Sequence, residues 1–382
     1  MIEVQDVFRV YGESYRHLHE KTMSTRQHGV MRHIESCRTA VLGGHVDRCD
    51  ECGHERISYN SCRDRHCPKC QFLKQEKWLE DRLNDFLPIQ YFHVVFTIPD
   101  SLNPLLLNNQ KIMYDMFFRS VSETLRKLSG DKKYIAALIG FIAVLHTWGQ
   151  NLSYHPHIHC IVTGGGLSDD HARWVSARSR FLFPIKAMAR LFRGIFLSHL
   201  KKEHANGTLK NSGTREEFSL LLNTLYALDW VVYSKPPFYK PETVFEYLAR
   251  YTHRIAISNH RIIKVENDRV FFHWRDYADG NKKKIMSLDA HEFIRRFLLH
   301  VLPKKYVKIR HFGLFGNRNR RALLTACRAA LRIHPSVHEN SVEKWQHALH
   351  RLTGFDVNRC PHCTEGKMVL IRKIQPAYCR GP

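Results

Sequence analysis

The stretch HPHIHCIVTGGG, residues 155–166, decides the fold, because its alternation places two histidines on one face of a predicted β-strand. In a strand, successive side chains point to opposite faces. His157 and His159 therefore share one face, and Ile158 and Cys160 share the other. Two imidazoles spaced in this way can chelate one divalent ion, so we interpret them as metal ligands. A histidine pair satisfied inside the core is the alternative.

The flanking segments predict further strands of the same sheet. FIAVLHTWGQNLSYHPH, residues 141–157, reads as a hairpin that turns near residues 151–155. By the same alternation, His146 and Gln150 lie on one face close to the turn, and either could supply a third ligand. YFHVVFTIP, residues 91–99, predicts another strand.

A helix with two tyrosines is predicted further along the chain, in KPETVFEYLARYTHR, residues 240–254. Pro241 and Glu242 suit the first helical turn. Tyr247 and Tyr251 are four residues apart and are therefore neighbours on one helix face. An aromatic stripe packed into the core is the alternative interpretation of this pair.

The amino-terminal region predicts a structural zinc site. Two CxxC pairs lie within residues 48–70, and each CxxC turn can direct two thiolates at one tetrahedral ion. Because protein ligands would fill all four positions, the Zn²⁺ should be structural. The predicted ligands are Cys49, Cys52, Cys67 and Cys70, with Cys62 and His66 as potential substitutes.

A third CxxC pair lies near the carboxyl end, at Cys360 and Cys363. His362 stands between the two cysteines, and Cys379 follows. Four ligands are not evident in this segment, so by itself it is half of a zinc site.

The charge of the chain indicates a polyanionic partner. The sequence has 59 Lys+Arg against 36 Asp+Glu, a formal net charge of +23. Such an excess favours nucleic acid, although a ribosome-like or membrane-surface protein could share it. Residues 293–338 contain no acidic residue, and we expect them to contact the DNA backbone. The aromatic residues expected to stack on unpaired bases there are Tyr306, Phe312 and Phe315.

The chain shows no signal for export or membrane insertion. Residues 1–22 have no apolar core of the signal-peptide type, and LIGFIAVL, residues 138–145, is too short for a membrane helix. We therefore expect a soluble cytoplasmic protein. In that reducing compartment, eleven cysteines favour metal binding or free thiols over disulfides.

Taken together, these motifs resemble the HUH endonuclease superfamily, and more narrowly its two-tyrosine rolling-circle insertion-sequence transposases with an amino-terminal zinc-binding domain. The segments that carry the resemblance are CRDRHCPKCQ, FTIP, HTWGQ followed by HPHIHCIVTGGG, YLARYTHRIAISNHRI and IRHFGLFGNRNRR. The resemblance implies an α+β fold whose core is ferredoxin-like. The resemblance also implies an antiparallel sheet with the histidines on its central strand and the tyrosine helix alongside.

The resemblance also implies the chemistry. His157 and His159, with Gln150 as third ligand, would hold Mg²⁺ or Mn²⁺ at the scissile phosphate of single-stranded DNA. Tyr247 or Tyr251 would attack that phosphate and form a 5′-phosphotyrosine link. The DNA partners would be the ends of the mobile element and its target. The residues expected to contact DNA are Arg250, His253, Arg254, Arg310, Arg318, Arg320 and Arg321.

We predict three domains: a zinc-binding domain over residues 1–88, a catalytic domain over 89–300 and a basic DNA-binding region over 301–382. A mostly helical insertion is expected within the catalytic domain, at about residues 166–240. The competing interpretations are a zinc-ribbon nucleic-acid-binding protein without catalysis, a metal-dependent phosphoesterase, and a plasmid replication initiator or relaxase. A phosphoesterase would need several carboxylate ligands, and the sequence has no carboxylate cluster beside the histidine pair.

Overall fold

The structure is a computed structural model that describes residues 2–70, 78, 82, 85–177, 181–237, 256–276, 279–333, 345–363 and 365–377. Helices and antiparallel strands are mixed along the chain, so the predicted α+β class is confirmed. The helices are α1 Val4–Leu18, α2 Thr25–Ser36, α3 Asn103–Asn108, α4 Gln110–Gly130, α5 Ile185–Ala205, α6 Arg215–Ala227, α7 Ala290–Leu299, α8 Arg320–Ala330 and α9 Trp345–Thr353. The strands are β1 Gly44–Cys49, β2 Glu55–Tyr59, β3 Tyr91–Thr97, β4 Leu138–Trp148, β5 Tyr154–Leu167, β6 Trp174–Ser176, β7 Val232–Ser234, β8 Ile262–Glu266, β9 Arg269–Asp276, β10 Lys282–Asp289, β11 Ile309–Gly313 and β12 Met368–Ile374.

The chain forms two compact units. The first combines residues 1–76, 257–301 and 336–382, and the second combines residues 77–256 and 302–335. Each unit combines segments that are far apart in the chain. The physical reason is that β12 pairs with β1, and α7 packs against α1, so both later segments join the amino-terminal one.

The first unit is built from a helical group and two small sheets. α1 packs against α2 and α7, and the rings of Phe8 and Phe297 meet edge to face with centroids 5.2 Å apart. Helix α2 begins with a capping box, in which the Ser24 hydroxyl and the Gln27 side chain each bond the other's backbone amide. The two sheets have the strand orders β12-β1-β2 and β10-β9-β8, and all their pairs are antiparallel.

The second unit is built around one antiparallel sheet with strand order β11-β4-β5-β3-β7, and β6 also pairs with β5. β4 and β5 form the predicted hairpin, and β5, which carries the two histidines, is the central strand. In the β4–β5 register, His146 lies directly opposite His157. The predicted alternation and turn are therefore confirmed for this hairpin.

The two faces of this sheet are covered by different helices. On one face, Phe96 of β3 meets Phe192 of α5 at a centroid distance of 5.1 Å, and Phe192 also contacts Phe117 of α4. On the other face, α8 adds Leu324 to a buried cluster that includes Ile161 of β5. Ile161 and the two histidines lie on the same side of β5, so the histidines border this second, α8-covered core.

The glycines after the histidines allow neighbouring backbones to approach β5 closely. A Cβ atom on Gly166 would lie 2.6 Å from the carbonyl oxygen of Leu138, and one on Gly164 would lie 2.8 Å from that of Gln90. Any larger residue would push the strands apart. The glycine run is therefore part of how β5 is held in the sheet.

The segment between β5 and the predicted tyrosine helix contains helices α5 and α6, which make up about half of its described residues. It also returns two short strands to the sheet, because β6 pairs with β5 and β7 pairs with β3. Among the described helices, none has the length and apolar character that crossing a bilayer requires.

Candidate metal centres

Three histidines converge at the end of the β4–β5 hairpin. His146, His157 and His159 each offer a ring nitrogen, and these atoms all lie within 4.8 Å of one another. The convergence follows from the register, because His146 is opposite His157 and His159 is two residues further along the same face. Ring centroids are 4.6 Å apart for His146 and His159, and 4.7 Å apart for His157 and His159.

The proton of His157 is fixed by a backbone contact. Its Nδ1 lies 2.7 Å from the carbonyl oxygen of His155, and a carbonyl only accepts, so Nδ1–H is the donor. Nε2 then carries the lone pair that a metal ligand needs. Burial, with some repulsion from His155, lowers the pKa of His157 to about 4, and the ring is neutral at pH 7.

A fourth histidine, His93, lies against this group from the neighbouring strand β3. Its Nε2 is 2.9 Å from Nδ1 of His159, and the two rings stack with centroids 5.2 Å apart. Burial lowers the pKa of His93 to about 3, so this ring is also neutral. Sequence reasoning missed His93 as part of the site. Alternation along residues 91–99 shows which strand face His93 lies on, but the sequence does not show that β3 pairs with β5.

The structure brings His146 into the histidine cluster, and its ring stacks on Trp148 with centroids 4.5 Å apart. Gln150, the other candidate for third ligand, lies in the turn after β4. Three imidazoles form a donor set that suits Mn²⁺, Zn²⁺ and similar ions, whereas Mg²⁺ prefers oxygen ligands. The residues present therefore fit a divalent transition-metal ion.

A first cysteine cluster lies in the first unit and contains Cys37, Cys62, Cys67 and Cys70, whose sulfur atoms lie within 4.8 Å of one another. The Sγ of Cys70 is 3.5 Å from that of Cys37 and 3.6 Å from that of Cys62. Cys37 is positioned by the end of α2, where it is the C-cap residue. Four thiols in this arrangement match a closed tetrahedral zinc site.

A second cysteine cluster contains Cys49, Cys52, Cys360 and Cys363, also within 4.8 Å of one another. Two of its sulfur pairs are Cys49 with Cys363 at 3.6 Å and Cys52 with Cys360 at 3.7 Å. This cluster joins residues more than three hundred positions apart in the chain, since Cys49 and Cys363 are separated by 314.

These clusters correct the predicted grouping of zinc ligands. The structure does not bring the Cys49–Cys52 pair and the Cys67–Cys70 pair to one site, because each pair has its own partners. Cys62 is a full member of the first cluster, and Cys37 was missed. The pair Cys360 and Cys363, which alone is half a site, is completed by Cys49 and Cys52.

His66, the other suggested substitute ligand, is engaged elsewhere. Its Nδ1 lies 2.8 Å from a carboxylate oxygen of Asp64, and His33 contacts the same carboxylate at 2.9 Å. Burial opposes ionisation of Asp64, but these hydrogen bonds hold the pKa of its carboxyl group well below the ordinary value. Sequence spacing could not separate His66 from the cysteines, because it lies next to Cys67 in the chain.

The arginines predicted to contact DNA differ in their surroundings. Arg310 forms an ion pair with Asp115, and its guanidinium lies 4.2 Å from the ring centroid of Phe118. The Nε atom of Arg320 lies 3.4 Å from a carboxylate oxygen of Asp85. Arg318 and Arg321, at the start of α8, are exposed. Exposed side chains at this position are the better placed to meet a phosphate backbone.

Two aromatic residues predicted to stack on bases are buried instead. Tyr306 is 6% exposed and Phe315 is 1% exposed, and Phe315 belongs to the core beneath α8. Phe312 stacks on Phe141 with centroids 4.8 Å apart. The stacking prediction is therefore wrong for Tyr306 and Phe315. The side chains of Tyr306 and Phe315 instead fill the interior of the second unit.

The tyrosine helix lies outside the described residues. Residues 238–255 are not described, and they contain the predicted nucleophiles Tyr247 and Tyr251. The same holds for the predicted DNA contacts Arg250, His253 and Arg254. The roles of these residues therefore remain predictions.

Comparison with known proteins supplies the family. Residues 140–322 match a family described as "Putative transposase", and residues 7–98 match one described as "Transposase zinc-binding domain". The first match covers the β4–β5 hairpin with its histidines. The second covers six of the eight clustered cysteines. No solved structure matches the chain.

Two curated relatives agree with these matches. The chain is 47% identical over 377 residues to "Putative transposase y4qJ" of Sinorhizobium fredii, covering 97% of this chain and 94% of that protein. It is 25% identical over 291 residues to "Transposase for insertion sequence element IS801" of Pseudomonas savastanoi pv. phaseolicola, covering 74% and 68%. The chain therefore belongs to the transposase family of these relatives.

Proposed function

We propose that this transposase is a metal-dependent endonuclease and strand transferase for single-stranded DNA, which moves an insertion sequence by a rolling-circle route. The observation that carries the proposal is the cluster of His146, His157 and His159 on and beside the central strand of an antiparallel sheet. Family membership supports DNA cleavage and transfer in general. The histidine cluster supports a metal-assisted reaction at phosphorus.

The histidines would hold one divalent ion. An ion bound there would polarise the scissile phosphate and stabilise the negative charge that develops on it. The residues themselves are organised for this task. His157 has its Nδ1 proton directed at the His155 carbonyl, and His159 has its Nδ1 against His93. Both rings can therefore present Nε2, which agrees with Mn²⁺ and leaves Mg²⁺ as the weaker match.

Tyr247 or Tyr251 is the proposed nucleophile. The phenolic oxygen would attack the phosphorus atom after losing its proton, and the bond from phosphorus to the 3′-oxygen would break. The 3′-oxygen would take up a proton, leaving a 5′-phosphotyrosine link and a free 3′-hydroxyl. Attack by a 3′-hydroxyl on that link would reform a phosphodiester without an external energy source. Two tyrosines would let the enzyme hold two strand ends in succession.

The DNA partners in this proposal are the element's ends and the target, both as single strands. The strand would be unpaired, because its scissile phosphate has to reach His157 and His159, which are partly buried on the central strand of the sheet. Backbone contacts are assigned to Arg250, His253 and Arg254, and to the exposed Arg318 and Arg321. The catalytic region would extend over residues 89–300, with residues 301–382 contributing DNA binding.

The test is a covalent-adduct assay. Purified protein is mixed with Mn²⁺ and single-stranded oligonucleotides that carry the terminal sequences of the element, and the products are separated on a denaturing gel. The proposal expects a protein–DNA species that Tyr247→Phe and Tyr251→Phe reduce and the double variant abolishes. Tyr226→Phe, an exposed tyrosine in α6, is the matched control and should keep the adduct.

The other outcomes identify the alternatives. Tight binding without an adduct on any cognate end would leave a zinc-ribbon DNA-binding protein without catalysis. Cleavage that survives in the double variant would indicate a phosphoesterase that uses water. Loss of the adduct in His157→Ala, with folding intact, would support the metal site.

A further inference from the structure

We infer that Cys49, Cys52, Cys360 and Cys363 form a second structural zinc site, a zinc ribbon assembled from the two ends of the chain. The match to a transposase zinc-binding domain ends at residue 98, so it reaches only two of these four ligands. The site holds the carboxy-terminal strand β12 on the amino-terminal hairpin. It is separate from the proposed DNA chemistry and from the first cysteine cluster, which has four ligands of its own.

Both halves of the site have the local geometry of a zinc knuckle. The backbone amide of Cys52 lies 3.5 Å from the Sγ of Cys49. On the other side, the amide of His362 lies 3.3 Å from the Sγ of Cys360, and that of Gly366 lies 3.4 Å from the Sγ of Cys363. Amide donors directed at sulfur stabilise the thiolate form, which is the form that binds metal.

The backbone around the site joins the two knuckles in register. β1 pairs with β12 from Cys49 opposite Met368 to Gly44 opposite Ile374. Beyond that pairing, the amide of Asp50 donates to the carbonyl oxygen of Lys367 at 3.1 Å, and the amide of Lys367 donates to the Asp50 carboxylate at 2.7 Å. The two CxxC knuckles therefore face each other, each beside the end of one of two hydrogen-bonded strands.

The sheet that carries the site has little apolar burial to hold it together. In β12, Val369 is 50% exposed, Leu370 is 52% exposed and Ile371 is 45% exposed. In β2, Ile57 is 55% exposed. Small sheets without a core of their own are usually stabilised by a metal or by disulfides. Four thiols that converge at the end of such a sheet point to metal, and four protein ligands leave no open position for catalysis.

The first test is zinc stoichiometry on the purified full-length protein, by mass spectrometry of the metal content. In a His157→Ala/His159→Ala background, which removes two ligands of the histidine cluster, we expect about two zinc ions per chain from two closed four-cysteine sites. The double variant Cys360→Ser/Cys363→Ser should lose about half of this zinc, and Cys67→Ser/Cys70→Ser should lose the other half. Cys327→Ala is the matched control, because it removes a buried thiol that belongs to neither cluster.

The second test is hydrogen exchange, which shows where the zinc acts. In Cys360→Ser/Cys363→Ser, amides of β12 and β1 should exchange at least about tenfold faster, as expected when a metal-dependent sheet opens. Amides of β4 and β5 in the second unit should be unchanged and serve as the folding check. One zinc per chain in the His157→Ala/His159→Ala background, or a Cys360→Ser/Cys363→Ser variant of that background that keeps both zinc ions and its β12 protection, would overturn the inference.

Discussion

The Nε2 atom of His93 lies 2.9 Å from the Nδ1 atom of His159, so a buried histidine on β3 orients one of the proposed metal ligands on β5. Two ring nitrogens at this distance share one proton. If His159 offers Nε2 to an ion, its Nδ1 must carry the proton and donate it to His93. His93 then acts as a positioning residue, in the way that hydrogen-bond partners of ligating histidines commonly do.

Replacing His93 should weaken metal binding without removing a ligand. His93→Ala should lower the affinity for Mn²⁺ by about 10- to 100-fold, which is typical for loss of a ligand's hydrogen-bond partner. His93→Gln should restore part of it, because an amide oxygen can accept the same proton. Isothermal titration calorimetry with Mn²⁺ measures both variants, and His199→Ala, which removes a histidine of the same unit outside the cluster, is the control. Unchanged affinity in His93→Ala would contradict the assigned role.

His146 and Gln150 can be distinguished as third ligand by parallel variants. Because His146 contributes to the histidine cluster, His146→Ala should lower Mn²⁺ affinity at least about tenfold, as loss of a direct ligand does. Gln150→Ala should have the smaller effect. The same titration measures both, and near-ultraviolet circular dichroism checks that the His146 variant folds. The reverse order of effects would assign the third position to Gln150.

The second unit should lose stability as the pH falls from about 6.5 to about 4. Burial, with repulsion from Arg82 and Arg320, lowers the pKa of His311 to about 4, whereas an unfolded histidine takes up its proton near the ordinary value. Between these pH values the unfolded chain binds a proton on this histidine and the folded chain does not. The free energy of unfolding is therefore highest above about pH 6.5 and falls as the pH drops below it.

His311→Leu should remove this histidine's share of the pH dependence. The loss of unfolding free energy between pH 7.5 and pH 4.5 should become smaller by about 1–3 kcal/mol, the scale expected for a shift of this size. Urea denaturation at both pH values measures it. A pH dependence that stays as in the wild type in His311→Leu would contradict this role.

The arginines of the basic region should separate into DNA-binding and structural residues. Arg318→Ala and Arg321→Ala should each reduce the slope of log affinity against log salt by about one, with no change in unfolding free energy. Arg310→Ala should instead cost about 1–2 kcal/mol of stability, because it removes an ion pair with Asp115 and a cation–π contact with Phe118. Fluorescence anisotropy with single-stranded DNA and urea denaturation measure the two effects. A salt slope that changes only in Arg310→Ala would reverse the assignment.

Local patterns predicted the parts of this fold that depend on neighbours in sequence. Strand alternation placed His157 and His159 on one face, and the hairpin brought them opposite β4 as expected. These features need only the chain's own periodicity and a short turn, which a single sequence carries.

Features that depend on distant pairing were not readable. His93 joins the histidines through the β3–β5 register, and Cys360 joins Cys52 across 308 positions. Spacing rules for zinc ligands treat nearby CxxC pairs as one site, and here each pair is completed from elsewhere. Tyr306 and Phe315 were also misassigned, because an aromatic side chain suits both a DNA-binding surface and a core. In the structure both side chains are buried.

The pairing of β1 with β12 means that a strand made early pairs with one that is made much later. After β1 has been synthesised, about 320 residues must still be added before β12 is synthesised. This takes roughly 15–60 s at ordinary translation rates. Throughout that time the outer edge of β1 and the thiols of Cys49 and Cys52 lack the partners they have in the folded protein. A chain cut short before residue 360 never acquires them. The first unit is thus completed only after translation has passed β12.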